Sequence, residues 1–293
     1  MRCLHIVIPS AALLSQSDII NCILMKLSNV FSKRNRVLLR ELVITDFKLR
    51  YQGSVLGYAW SLLKPLFLFA IMYVVFGLLI RLGSVEHYAV YLLLGIVLWT
   101  FFSEATNQGL GSIVGRGDLL RKISFPKYII VLSTTISALI NLTLNLVIVA
   151  ILMVVNGVQL HFSAFLFPVY ILELYILALG IALFLSALNV KYRDTSHIWE
   201  IIMQAAFYAT PIIYPLSVVI AKSQLAAQLL LLNPVAQAIQ DARHALITRE
   251  AETISSLYGN PAYYLIPFAI VIAVFLIGAF YFKKHSRYFA ENI

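Results

Sequence analysis

The chain has 293 residues, 61% of them hydrophobic and only 12% charged, with a mean hydropathy of +0.89. A soluble domain of this length lacks the interior to hide so much apolar surface, so a soluble fold is excluded and an all-α integral membrane protein is expected. The formal charge of +9 then reads as lysine and arginine retained on the cytoplasmic side of a bilayer, not as a nucleic-acid footprint.

Residues 1–33 form an N-terminal extension. Arg2, an apolar run to Leu14 and Ser-Gln-Ser suggest a cleavable signal, but cleavage there would export the basic segment 33–50 against the charge rule. An internal start at Met25 is the other reading. Cys3 and Cys22 have neither metal spacing nor a disulfide framework. Residues 34–61 read as an amphipathic interface helix on the cytoplasmic leaflet. Leu38, Leu42 and Leu49 share one face, and Arg36 and Arg40 interrupt the other apolar residues. Arg50 and Tyr51 lead to Gly53 and Gly57, which loosen the chain, and Trp60 suits the interface. A solvated basic tail is the plainer alternative.

A spanning helix needs about 20 mostly apolar residues. Six candidates make up the domain 62–282, at 62–82, 88–106, 128–156, 162–188, 198–216 and 261–282. No charged residue falls between Tyr128 and Val155, whereas Pro211 and Pro215 interrupt the fifth candidate. Six spans put eighteen Lys and Arg on the side of the termini and four on the other: Arg81, Lys222, Arg243 and Arg249. Both termini, including the tail 283–293, are therefore expected in the cytoplasm.

Four glycines between 109 and 117 suggest a flexible approach, within the loop 107–126, to a short exposed helix. Asp118 suits its start and Pro126 its stop. A solvated loop is the alternative, and Arg116-Gly117-Asp118 is too short a match to argue adhesion. The external connection 217–260 is too apolar for a loop in water. Its runs at 225–232 and 235–247, parted by Asn233-Pro234, have the length of re-entrant segments, which need burial in protein or a wet cavity.

No phosphate-binding GxxxxGK[ST] loop, HExxH or GxSxG occurs. Carboxylates in expected spans are functional candidates: Glu104 and Glu200 lie near cytoplasmic ends, and Glu173, near the middle of the fourth expected span, would serve a proton-coupled transporter, or pair with a polar residue of a neighbouring span. Thr134, Ser137, Asn141 and Asn145 form a stripe that lines a hydrated path or bonds between helices. Aromatic residues crowd the external half, either as an interfacial belt or, for some, as flat surfaces on which sugar rings rest.

RYQGSVLGYAWSLLKPL at 50–66, LLRKISFPKYIIVLS at 119–133, NVKYRD at 189–194, and TPIIYP at 210–215 followed by NP at 233–234 resemble the permease subunits of ATP-binding-cassette polysaccharide exporters. These are the type-two permeases that move O-antigen, teichoic acid, galactan or capsule chains. The likeness runs in order from about residue 36 to the C-terminus. It implies a transport subunit in the bacterial inner membrane, not an enzyme, that pairs with a second copy of itself and two copies of a separate ATPase. ATP and Mg would sit in that partner, with no cofactor or metal in this chain. The substrate would be a lipid-linked glycan. Asp118, Arg121, Lys122, Phe125, Arg193 and Asp194 would face the ATPase. Arg50, Tyr51, Gly53, Gly57, Trp60 and Pro65 would pass its motion to the first span, with Lys64 beside Pro65 at the pore entrance. Tyr208, Tyr214, Tyr263, Tyr264, Asn141 and Asn145 are candidates for the glycan path. A drug, haem or small-lipid exporter keeps the same fold. A proton-coupled transporter and a membrane enzyme acting on lipid-linked sugars are the alternatives of another class.

Overall fold

A computed structural model of the chain describes residues 33–51, 56–57, 59–80 and 85–289. Among these the secondary structure is entirely helical. The expected extension up to residue 32, Gly53 and residues 290–293 of the expected tail lie outside the described residues, and Arg50 and Tyr51 are placed as helix backbone only.

Helix α1 (Lys33–Tyr51) lies along α5 (Tyr128–Val155) and half-buries Leu38 and Leu42, while Leu49 on the same face is 63% exposed. Helix α2 (Ala59–Met72) continues as a π-helix through Tyr73–Leu79, and Pro65 sits inside it. Proline lacks the N–H that would bond one turn back, so its presence here marks a place where the helix gives way easily.

Helix α3 (Tyr88–Ser112) is the axis of the bundle, enclosed by α2, α5, α6 (Phe167–Lys191), α7 (Thr195–Ala209) and α10 (Pro234–Leu246). It runs beyond the expected end at 106, so the loop expected from residue 107 is corrected. Gly109 is helical, and a Cβ there would overlap that of Ala182. This glycine serves close helix packing rather than chain flexibility. Gly180 of α6 and Gly278 of α12 (Leu265–His285) meet in the same way: a Cβ on Gly180 would lie 2.6 Å from the Phe275 Cα.

Among the described residues, five helices are long and apolar enough to cross a membrane: Ala59–Leu79, Tyr88–Ser112, Tyr128–Val155, Phe162–Lys191 and Pro261–Tyr288. The fifth expected span, 198–216, falls on α7, whose 15 residues rise about 22 Å at 1.5 Å each, short of the ~30 Å hydrocarbon core. The chain then leaves the helix at Thr210, where Pro211 and Pro215 withhold donors.

The connection 217–260 folds into α8 (Leu216–Lys222), α9 (Gln224–Leu231), α10 and α11 (Ile254–Tyr258). The Asn233 side chain caps α10 by accepting from Val235 N at 3.0 Å, which satisfies a donor the helix start leaves open. α10 is buried along nearly its whole length, against α6, α3, α12 and the 3-10 turn Phe162–Leu166.

Contacts between elements define two ends. At one, the Asn189 amide donates to the Leu110 carbonyl (3.3 Å), the Arg34 guanidinium to the Ser124 carbonyl (3.2 Å) and Lys127 Nζ to the Ser286 carbonyl. This basic end gathers α1, the end of α3, the short helix α4 (Gly117–Lys122), the start of α5 and the ends of α6 and α12. The opposite, tyrosine-rich end holds Tyr88, Tyr91, Tyr170 and α10.

Candidate functional site

A groove of about 730 Å³ opens between α2, α3, α5 and α7. α2 brings Trp60 and Lys64, α3 brings Glu104 and Asn107, α5 brings Asn141, and α7 brings Glu200, Gln204 and Tyr208. Pro65 lines it as well. Glu104 Oε1 accepts from Gln108 Nε2 at 2.6 Å and from Asn141 Nδ2 at 2.7 Å, so the carboxylate is oriented by two amides. Charged and amide side chains at this depth of a membrane bundle are costly unless they face water or a polar ligand. A run of rings lines the same groove: the Trp99 centroid lies 5.8 Å from that of Phe207, which lies 5.3 Å from that of Tyr208, and Tyr208 is 61% exposed. Alternating acceptors, donors and flat rings are what a polyhydroxylated ligand uses, since each hydroxyl both donates and accepts and the C–H face of a sugar rests on an aromatic plane.

The polar stripe of α5 divides into two roles. Thr134 and Ser137 donate to carbonyls of their own helix, Val131 and Ser133. Asn141 reaches Glu104 across to α3, and Asn145 reaches the Ser61 carbonyl at 3.3 Å. Of the residues proposed for a glycan path, Tyr208 and Asn141 meet in the groove. Tyr214 instead turns its hydroxyl to the Tyr208 and Ala209 carbonyls, Tyr263 stacks on Tyr258 (centroids 4.4 Å), and Tyr264 donates to Asp241 at 3.2 Å.

At the basic end Asp118, in the first turn of α4, is exposed with Arg121, Lys122, Arg193 and Asp194. Phe125 is half-buried against the cluster around Leu120 and Phe289. Behind α4 lies a joint that sequence reading passed over. Arg116 forms an ion pair with Asp46 of α1 and donates to Ser133 Oγ of α5 at 2.9 Å, and Ser133 in turn lies 3.4 Å from Asp46. Burial pulls the Arg116 pKa down from its ordinary value, although both side chains of the pair stay partly exposed. Three elements therefore share one network. Gly57 follows α1 with φ +48°, in the left-handed region that penalises side chains.

The tyrosine-rich end holds a second buried network. Arg243 is fully buried, donating to the carbonyls of Tyr91 (3.0 Å), Pro211 (2.6 Å) and Ile212 (2.7 Å) and to Gln240 Oε1 (3.3 Å), with its Cζ 3.6 Å from the Tyr91 ring centroid. Tyr88 donates to the Ile213 carbonyl at 2.8 Å. The carbonyls freed where α7 ends are thus satisfied by an arginine and a tyrosine, as a helix break at membrane depth requires. Gly95 makes room, because a Cβ there would overlap the guanidinium. On the other side of α10, Gln237 Nε2 bridges Asp241 (2.6 Å) and Glu173 (3.4 Å). Glu173 is buried, and its partner comes from α10 rather than from a neighbouring span. Burial pushes the Asp241 carboxyl up to about 6, against the hydrogen bonds from Gln237 and Tyr264. Arg243, Asp241 and Gln237 were invisible as a unit in the sequence. The one available sign was their spacing on an otherwise apolar helix, Gln237, Gln240, Asp241 and His244 at three- and four-residue intervals.

Comparison with known proteins finds relatives of the chain. An O-antigen export system permease protein RfbA from Myxococcus xanthus is 32% identical over 200 residues, which cover 68% of this chain and 76% of the relative. A protein of the same name from Klebsiella pneumoniae is 28% identical over 249 residues, 84% of this chain and 91% of the relative. The family model described as ABC-2 type transporter matches residues 37–247, from α1 through α10. The chain belongs to the ABC-2 type transporter family.

Proposed function

We propose that the chain is the permease subunit of an ATP-driven exporter that moves a lipid-linked polysaccharide out of the bacterial cytoplasm through the inner membrane. Two copies would form the channel, and two copies of a separate ATPase would drive it. The groove between α2, α3, α5 and α7 carries this reading: acidic and amide side chains line it together with aromatic rings, which suits a hydrated glycan better than an aliphatic drug or lipid. The names of the relatives support the cargo class. Family membership supports the ATPase partner, and exposed α4 with Arg193 and Asp194 offers it a surface. The excess of lysine and arginine supports a cytoplasmic basic end. The break at Thr210, its carbonyls held by Arg243 and Tyr88, lets α7 and the stretch up to Pro215 complete a sixth crossing despite the short helix, with both termini inside.

The test has two arms. Purified gently from its native membrane, the tagged chain brings a P-loop ATPase in equal copy number; a chain that emerges alone under several mild detergents removes the ATP-driven mechanism. In cells, Tyr208→Ala with Asn141→Leu lowers surface glycan about tenfold, equivalent to roughly 1.4 kcal/mol on the transport barrier, while lipid-linked glycan accumulates inside. Unchanged surface glycan in that variant means the cargo does not use this groove.

A further inference from the structure

A second groove, of about 860 Å³, lies at the basic end and shares no residue with the first. Its volume falls within the ~300–1,000 Å³ range of ligand sites. Its floor is apolar, made by Leu132 of α5, Leu179 and Leu183 of α6, and Phe275 and Ala279 of α12. Its rim is basic, and the charges come from three separate elements: Arg34 at the start of α1, Lys127 just before α5 and Lys283 at the end of α12. Among the described residues, no carboxylate lines it. α12, which forms one wall, has most of its surface uncovered by this chain.

We infer that this groove binds an acidic membrane phospholipid, its phosphate held on the Arg34–Lys127–Lys283 rim and an acyl chain laid along the leucine and phenylalanine floor. Charge complementarity selects the headgroup, since basic pockets between membrane helices take anionic lipids while a zwitterionic lipid brings a cation of its own into the same rim. Residues 1–32 and 290–293 together carry Arg2 and Lys26 against Asp18 and Glu291, and so bring no net negative charge to answer that rim. The position gives the lipid a consequence. Arg34 already reaches the Ser124 carbonyl and Lys127 the Ser286 carbonyl, so a bound phosphate adds a shared counter-charge to a place where α1, the segment after α4 and the end of α12 meet. It braces the segment that follows α4 from behind, and this inference stands independently of the cargo.

Native mass spectrometry of the full-length protein, offered equal amounts of phosphatidylglycerol and phosphatidylcholine with the same acyl chains, tests it. The expected result is a one-lipid adduct that favours phosphatidylglycerol at least about tenfold. Each rim neutralisation, Lys283→Gln and Arg34→Gln, cuts that preference about fivefold, the worth of one basic residue near an anionic headgroup. Ala279→Trp fills the groove and removes the adduct whatever the headgroup. Lys191→Gln, an exposed charge of the same end outside the groove, leaves it unchanged. Arg34 and Lys283 are both exposed, so these variants leave the bundle packing intact. The inference is overturned if both lipids bind equally, if Arg34→Gln, Lys283→Gln and Ala279→Trp bind as the unmodified protein does, or if Lys191→Gln loses as much as they do. Recovery of a polyprenyl diphosphate, in place of a phospholipid, from the natively purified protein overturns the assignment of the occupant.

Discussion

The two ends of the bundle handle buried charge in opposite ways. At the tyrosine-rich end Arg243 has no carboxylate partner among the described residues: it is fixed mainly by backbone carbonyls from α3 and from the break after α7, with the Gln240 amide oxygen and a tyrosine face beside them. At the basic end Arg116 is held by side chains of two other elements, Asp46 and Ser133, and the surrounding ties are single bonds between exposed or half-buried groups. Carbonyls of a packed backbone cannot follow a moving cation, whereas a side-chain pair can break and re-form elsewhere. The first end is therefore a clamp and the second a joint. That is the arrangement a chain needs if force arrives at α4 and α1 while the far ends of the helices keep their register.

Breaking the clamp has the largest effect on stability. Arg243→Met strands the Pro211, Ile212 and Tyr91 carbonyls in a dry interior at about 3–5 kcal/mol, which lowers the unfolding midpoint in detergent by roughly 10 °C. Gly95→Ala reaches the same site from α3, because its Cβ competes with the guanidinium for space, and it costs about half as much. Thermal unfolding of the two variants and of their combination checks the argument. The double variant should cost little more than Arg243→Met alone, since the added methyl then meets no guanidinium. Full additivity would show that Gly95 and Arg243 act independently and that the clamp is misassigned.

The joint is weaker. Asp46→Asn costs about 1–3 kcal/mol, because the pair is small and partly wet, but its main result is functional. On the proposed function, transport falls several-fold while ATP hydrolysis by the partner ATPase continues, because α1 is no longer tied to the segment before α4. Asp46→Arg with Arg116→Asp restores part of the coupling. If Asp46→Asn lowers hydrolysis and transport in equal proportion, the pair is a plain structural contact.

This contrast also explains what was legible in the sequence. Hydropathy located the long helices, because a run such as Tyr128–Val155 has one stable solution in a bilayer, and Asn233-Pro234 announced the start of α10. Two features were not legible. Glycine was read as flexibility at 109–117, yet Gly109 serves close packing against Ala182, and sequence does not distinguish the two uses. Arg243 was counted as an external charge, since its burial depends on carbonyls exposed by a proline break 32 residues away. The groove was half legible: Asn141, Tyr208 and the carboxylates Glu104 and Glu200 were singled out separately, but they and the rings of Trp99 and Phe207 come together only through the packing of α7 on α3.

The hinge offers a smaller stability effect with a clear functional readout. Gly57 has open space around a would-be Cβ but a φ of +48°. Gly57→Val therefore adds about 1–2 kcal/mol of backbone strain without a clash, and shifts the turn toward negative φ. Transport slows while membrane insertion, read by protease protection of the termini, stays normal. Gly57→Asn, which tolerates the left-handed region better, sits between Val and the native residue. Equal transport in all three would mean that the turn transmits nothing.

The smallest expected effect is at Glu173. A buried carboxylate whose one described hydrogen bond comes from Gln237 invites a proton-coupled reading, and Asp241 on the other side of that amide supplies the second acid such a relay needs. Both, however, lie on the clamp side of the bundle, and neither lines the groove. Glu173→Gln keeps the shape and leaves Gln237 an acceptor to bond, so transport should stay within about twofold of normal, and its dependence on external pH should not change. The same substitution separates the two drives for transport. A carrier run by protons would lose its activity outright with Glu173→Gln and would be stopped by an uncoupler, whereas a chain driven by an ATPase through α4 and the Asp46–Arg116 joint would be stopped by loss of ATP alone.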